Sequence, residues 1–175
     1  MMRYLFRCVT LASLLAASSG PGLAAQAADE LHPVQQDVRA LTEATFGGDV
    51  ETTLGFTHPT GLKDAGGREA ARKALVQLQE EFSSSGMKVE SLSFPSPPDF
   101  LETEARRFAI VPTLTILSMA GLRLEVLGFH IGVLEPDAKG WTYVDGARVN
   151  GSNVRDFFPD FPGGYTFPKV HSKPL

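Results

Sequence analysis

At 175 residues, with 16 Lys and Arg against 20 Asp and Glu, the chain has room for one domain around one core and carries a net charge of −4. That balance leaves no basic stripe of the kind a nucleic-acid backbone requires. The one cysteine, Cys8, argues against a disulfide framework, a Cys-based metal site and a cysteine nucleophile in the folded domain.

The first residues read as an export signal. Arg3 and Arg7 form a cationic head, and Cys8–Ala17 is an apolar run shorter than the roughly 20 residues a membrane span needs. Ala25-Gln26-Ala27 supplies a small-residue cleavage site. Residues 1–27 are therefore expected to be a bacterial Sec-type signal peptide cleaved after Ala27, the other reading being an uncleaved anchor. The implied location is periplasmic or extracellular, with no stable membrane span after cleavage. Cys8 stands at the head of the apolar stretch, not at its end, so lipid modification is not implied. Loss of Arg3 and Arg7 leaves 14 basic and 20 acidic residues, a net charge of −6, and no cysteine. Stability of the mature chain must then come from packing alone.

Leu31, Val34, Val38, Leu41 and Thr45 recur at three- and four-residue spacing, which predicts a helix capped by Asp29 and stopped at Gly47-Gly48. Asp49 suits the cap of a short second helix that ends at Thr57-His58-Pro59, because Pro59 restricts His58. Thr60–Gly67 reads as a loop. Arg68–Phe82 predicts a third helix with Ala71, Leu75, Leu78 and Phe82 as its apolar stripe, closed by Gly86. Lys88–Phe94 is a first strand. Pro95–Asp99, with three prolines, is a connection.

Two long apolar segments follow, Phe108–Leu117 and Leu122–Leu134, joined by a turn at Ala120-Gly121. Both faces of the first are apolar, so helices are expected on one side while the other closes on itself. Pro112 in mid-strand calls for an edge or a bulge. In the second segment Leu122, Leu124 and Val126 share one parity and Leu127, Phe129, Ile131 and Val133 the other, which suggests a bulge near Val126–Gly128. Trp141–Asp145 makes a last strand. Ser152 can cap a turn over Val154–Phe158. Phe157, Phe158, Phe161, Tyr165 and Phe167, interleaved with proline and glycine, then predict a strap laid over the domain, the other reading being an exposed peptide- or partner-binding tail, with His171–Leu175 disordered.

The fold class implied is α+β: N-terminal helices on a strongly curved antiparallel sheet of about four strands, a cone-like half barrel. The boundaries are 28–159 for this domain and 160–175 for the strap and end.

Few residues are placed to do chemistry. His130 lies in an apolar strand, where it either fills the core or projects into a cavity and works near neutral pH. His58, at a helix-ending turn, suits a surface cap better than a ligand. Trp141, Tyr143 and Asp145 share a face; if that face is inward, Asp145 is a desolvated carboxylate at the mouth of an apolar space, and otherwise Asp145-Gly146 is a turn pair. Of Arg106 and Arg107, one can meet an anionic ligand or pair with Asp145. The candidates for a ligand pocket are thus His58, Arg106, His130, Trp141, Tyr143 and Asp145. No spacing of His, Asp or Glu suggests a metal, and Gly66-Gly67 before Arg68 is a weak phosphate motif, so no cofactor is expected.

Phe46-Gly47-Gly48-Asp49, Thr57-His58-Pro59, Gly66-Gly67-Arg68-Glu69-Ala70 and Trp141–Gly146 together resemble the nuclear-transport-factor-2-like superfamily, the fold shared with ketosteroid isomerase and polyketide cyclases. The resemblance spans about Asp29 to Pro159 and is strongest to exported bacterial members, for which it implies no reaction. Ketosteroid isomerase chemistry would need a carboxylate base with a tyrosine and a neutral acid at an oxyanion. The mature chain has only Tyr143 and Tyr165, neither on the first helix, so no catalytic residue carries over. The expectation is an exported domain binding a small apolar or amphipathic molecule. The alternatives are a hydrolase, isomerase or cyclase using His130 and Asp145, or a module that forms a homodimer through an open sheet face.

Overall fold

The computed structural model describes residues 31–175; the expected signal peptide, its expected cleavage site and Asp29 lie outside them. In chain order the elements are helices α1 (Pro33–Gly47), α2 (Val50–Phe56), α3 (Pro59–Asp64) and α4 (Arg68–Ser85), then strands β1 (Lys88–Ser93), β2 (Asp99–Glu102), β3 (Arg107–Met119), β4 (Leu122–Leu134) and β5 (Thr142–Asp145). A 3-10 turn at Gly146–Arg148, helix α5 (Val154–Phe157) and strand β6 (His171–Pro174) complete it. The class is α+β, with N-terminal helices followed by a curved, unclosed antiparallel sheet. The sheet has six strands where four were expected. The two extra strands, β2 and β6, hold four residues each and pair only at an edge, too short to leave an alternating pattern.

The β3–β4 hairpin is the frame. Its two-residue connection places Ala120 at φ 50° and Gly121 at φ 82°, the left-handed pair that matches the twist of the strands. Register then runs unbroken from Met119↔Leu122 to Arg107↔Leu134. No bulge interrupts β4 at Val126–Gly128, contrary to the phase argument. The bulky residues change parity because the cover changes along the strand. Leu127, Phe129, Ile131 and Val133 share the face of Phe108 and Ile110, where the C-terminal segment packs. On the opposite face Gly132 makes room for the layer above: a Cβ there would lie 3.1 Å from the Tyr143 ring and 3.3 Å from that of Trp141. The register shift is instead in β1, between Val89 and Ser91.

Pro112 occupies a gap. β2 pairs with β3 at Arg107–Ile110 and β1 at Leu114–Ser118, so the position without an amide proton falls where β3 has no partner on that side. β3 is central in the sheet and locally an edge at that point.

Two apolar layers hold the sheet. On one face Val34, Val38 and Leu41 of α1 pack on Ala109, Val111 and Tyr143. On the other, Phe108, Ile110, Phe129, Ile131, Val133 and Val144 pack against Val149, Val154, Phe158 and Phe161. That second face does not close on itself; the C-terminal segment covers it. Phe158 and Phe161 are 0% and 1% exposed, and Phe157, Tyr165 and Phe167 lie against the same core. The last residues are also ordered: β6 pairs Leu124↔Pro174 through Leu127↔His171, and Lys173 meets Glu125 at 3.0 Å. Their polar sequence gave no apolar signal because every residue of β6 is exposed, and the backbone ladder and the Lys173–Glu125 pair hold it without apolar burial.

Several helix ends differ from expectation. α1 begins one residue after His32, whose Nδ1 accepts from the Val34 amide while Gln35 reaches back to the His32 amide. The span expected as a loop holds α3, since His58 caps it and Pro59 fits its first position. Asp49 caps α2 through the Thr52 amide, and Gly48 and Gly86 close α1 and α4 in left-handed geometry. α5 is flanked by Asn153, not Ser152, and has no side-chain cap. α4 lies outermost, with Ala71 buried and Leu75, Leu78 and Phe82 half-buried; Phe82 stacks on Phe46 at 4.7 Å.

Candidate functional site

Two of the residues singled out in the sequence meet at one end of the sheet. His58 is 4% exposed. Its amide donates to the Tyr143 carbonyl at 2.9 Å, and its Nδ1 accepts from the Thr60 amide at 3.1 Å. An accepting Nδ1 leaves the proton on Nε2, which points at Glu135 Oε1 at 3.4 Å. Burial holds this imidazole below its ordinary proton affinity, with the Glu135 carboxylate opposing and the Arg106 charge adding to the depression. Arg106 donates to the same Glu135 oxygen at 2.7 Å and lies 3.2 Å from Asp160 Oδ2, which also accepts from Thr103 at 3.0 Å. The Arg106–Asp160 pair is close but poorly aligned, since Arg106 Nε lacks a hydrogen bond of good geometry. Arg106 thus binds two carboxylates, not Asp145. The cluster joins the α2–α3 junction, the ends of β3 and β4, and the C-terminal strap. Each charge is already matched within the chain, which makes it a structural clasp. Glu135 and Asp160 escaped the sequence reading because neither lies in a periodic segment.

Tyr143 and Trp141 do face inward, under α1. Tyr143 is 2% exposed, and its hydroxyl donates to Asp37 Oδ2 at 2.8 Å, so burial and that carboxylate push its proton affinity well above the usual phenol range. Asp37 was legible: it follows Val34 by three residues and precedes Leu41 by four, an acid within an apolar stripe. Trp141 is half-buried beside Phe100, at 6.1 Å between ring centres. The Tyr143 and Trp141 rings both pack into the apolar layer between α1 and the sheet.

His130 and Asp145 stand opposite each other across β4 and β5. Asp145 is exposed and its Oδ1 accepts from the Ala147 amide at 2.9 Å, the turn role and not the cavity-mouth one. His130 is half-buried overall, with Nδ1 fully enclosed and without a partner. Desolvation lowers its proton affinity and the Asp145 charge partly restores it. No hydrogen bond joins the two side chains, so the geometry sets up no general-base pair.

A cleft lies elsewhere, between α1 and β1. It is half-open, of about 550 Å³, and lined by Arg39, Thr42, Glu43 and Phe46 on the helix and by Met87 to Leu92 on the strand. None of the six sequence-nominated residues lines it. Its walls are apolar (Phe46, Met87, Val89, Leu92) with charged groups at intervals. The bulge between Val89 and Ser91 belongs to this wall. The cleft escaped prediction because β1 alternates poorly and the bulge cannot be read from the sequence. No group of three or more His, Cys, Asp or Glu suited to a metal occurs among the described residues.

The molecule is thus an α+β domain with apolar layers on both faces of its sheet and an amphipathic cleft at one flank. No protein-family model matches the chain, and no curated protein or solved structure matches it significantly.

Proposed function

We propose that the mature chain is an exported binding domain of the nuclear-transport-factor-2-like type, and that it takes a small amphipathic molecule in the α1–β1 cleft. The observation that carries this is the cleft itself: about 550 Å³, within the range of small-ligand sites, with an apolar wall from Phe46, Met87, Val89 and Leu92. Export is supported by the cationic head, short apolar run and Ala25-Gln26-Ala27. The family type is supported by the order of helices before a curved antiparallel sheet. The alternatives draw less support. Asp145 is engaged as a cap, and both faces of the sheet near β5 are covered by α1 or by the strap.

The test is titration of the purified chain with the neutral fluorophore N-phenyl-1-naphthylamine. Saturable one-site binding is expected, weakened at least ~10-fold by Leu92→Trp, which fills a pocket built for a small guest. Absence of saturable binding, or equal binding by Leu92→Trp with an unchanged circular-dichroism spectrum, overturns the proposal.

A further inference from the structure

Resting on that reading of the cleft, we infer that its occupant carries a carboxylate on an acyl chain, with Arg39 as the anchor for the anionic end and Lys88 assisting. Four charged side chains line the cleft: Arg39, Glu43, Lys88 and Glu90. Glu90 is committed, since Arg123 donates to its Oε2 from Nε at 2.8 Å and from Nη2 at 2.7 Å. Glu43 is exposed. Neither Arg39 nor Lys88 forms an ion pair among the described residues. The cleft therefore presents two free cations against one exposed carboxylate.

Arg39 is also held as a receptor would be. Its guanidinium lies 5.8 Å from the Phe94 ring centre, and Nη2 donates a long 3.5 Å hydrogen bond to the Leu92 carbonyl. Nε is enclosed and has no acceptor on the protein. A guanidinium has five N–H donors in a flat fork that matches the two oxygens of a carboxylate. Here one donor has a weak partner, and the guanidinium's other contact is the aromatic ring of Phe94. A half-buried cation left so incompletely paired is costly unless something satisfies it. At about 30 Å³ per heavy atom, the volume admits on the order of fifteen or more such atoms, enough for a carboxylate and a medium-length chain along Phe46, Val89 and Leu92.

The experiment is calorimetric titration of the purified chain with decanoate, decan-1-ol and decylammonium, which share a tail and differ in the head. Decanoate is expected to bind about ten-fold or more tightly than decan-1-ol, as a charge-assisted bidentate pair requires, with decylammonium weakest. Arg39→Gln is expected to bring decanoate to within about three-fold of the alcohol, and Lys88→Gln to weaken decanoate less. Lys139→Gln, in the exposed turn after β4, serves as the control and leaves the ranking unchanged. Equal binding of all three ligands, or preference for the amine, overturns the anion assignment while sustaining the cleft as a binding site. Retention of the acid preference by a folded Arg39→Gln also overturns the assignment. No binding of any of the three overturns both.

Discussion

Phe158 tests whether the C-terminal strap belongs to the core or merely rests on it. Its ring is 0% exposed, wedged edge-on between His58 at 5.2 Å and Phe108 at 5.3 Å. Phe158→Ala removes a fully buried ring and leaves a cavity bounded by β3, the α2–α3 junction and the strap. Transfer and cavity terms together make such a change worth about 3–5 kcal/mol, and loss of two edge-to-face contacts belongs within that total. His58 loses one wall of its enclosure, so the clasp to Glu135 and Arg106 loosens with it. The assay is urea unfolding followed by far-UV circular dichroism, with the midpoint converted through the measured slope. Phe100→Ala is the comparison: at 37% exposed its loss should cost about 1 kcal/mol or less. A Phe158→Ala protein within about 1 kcal/mol of the parent would refute the reasoning, because it would mean the strap detaches without the domain noticing.

Three further outcomes follow from local geometry. His58 and His130 both have depressed proton affinity when folded, so the unfolded chain binds more protons below the ordinary histidine value of 6.5. Stability should be complete above that pH and fall as pH drops through it, by up to about 1.4 kcal/mol per pH unit for each histidine. Urea midpoints at successive pH values check this, and His130→Gln should flatten the slope. A Cβ on Gly146 would collide with the ring and carbonyl of Phe129; the backbone cannot yield as a side-chain tip would, so Gly146→Ala should lower the midpoint by about 1–3 kcal/mol equivalent. Ala120 holds a left-handed conformation at φ 50° in the hairpin turn, where asparagine is better suited. Ala120→Asn should raise stability by roughly 0.5–1 kcal/mol in the same assay.

The hairpin, its turn and the amphipathic helices were legible because their periodicity comes from one persistent neighbour. Val34, Val38 and Leu41 face the same sheet throughout α1. β4 misled because its neighbours change along its length: the parity of bulky residues follows the cover, and Gly132 marks where the Tyr143 and Trp141 rings lie above. β2 and β6 were illegible because four residues of edge pairing are too few to leave a period. Of the site, the sequence identified His58 and Arg106 as unusual but not their partners, since Glu135 and Asp160 reach them through tertiary contact alone. The cleft was missed for a related reason. It depends on the gap between a helix and a bulged strand, and a gap has no residue of its own to read.

The decisive measurement is mapping of backbone amide chemical shifts in the nitrogen-15-labelled protein as decanoate is added. Changes are expected to concentrate at Arg39, Thr42, Phe46 and Met87 to Leu92, with His130 and Trp141 to Asp145 nearly still. A response centred on His130, Tyr143 and Asp145 with the α1–β1 cleft silent would contradict that expectation, as would a titration that moves no amide at all.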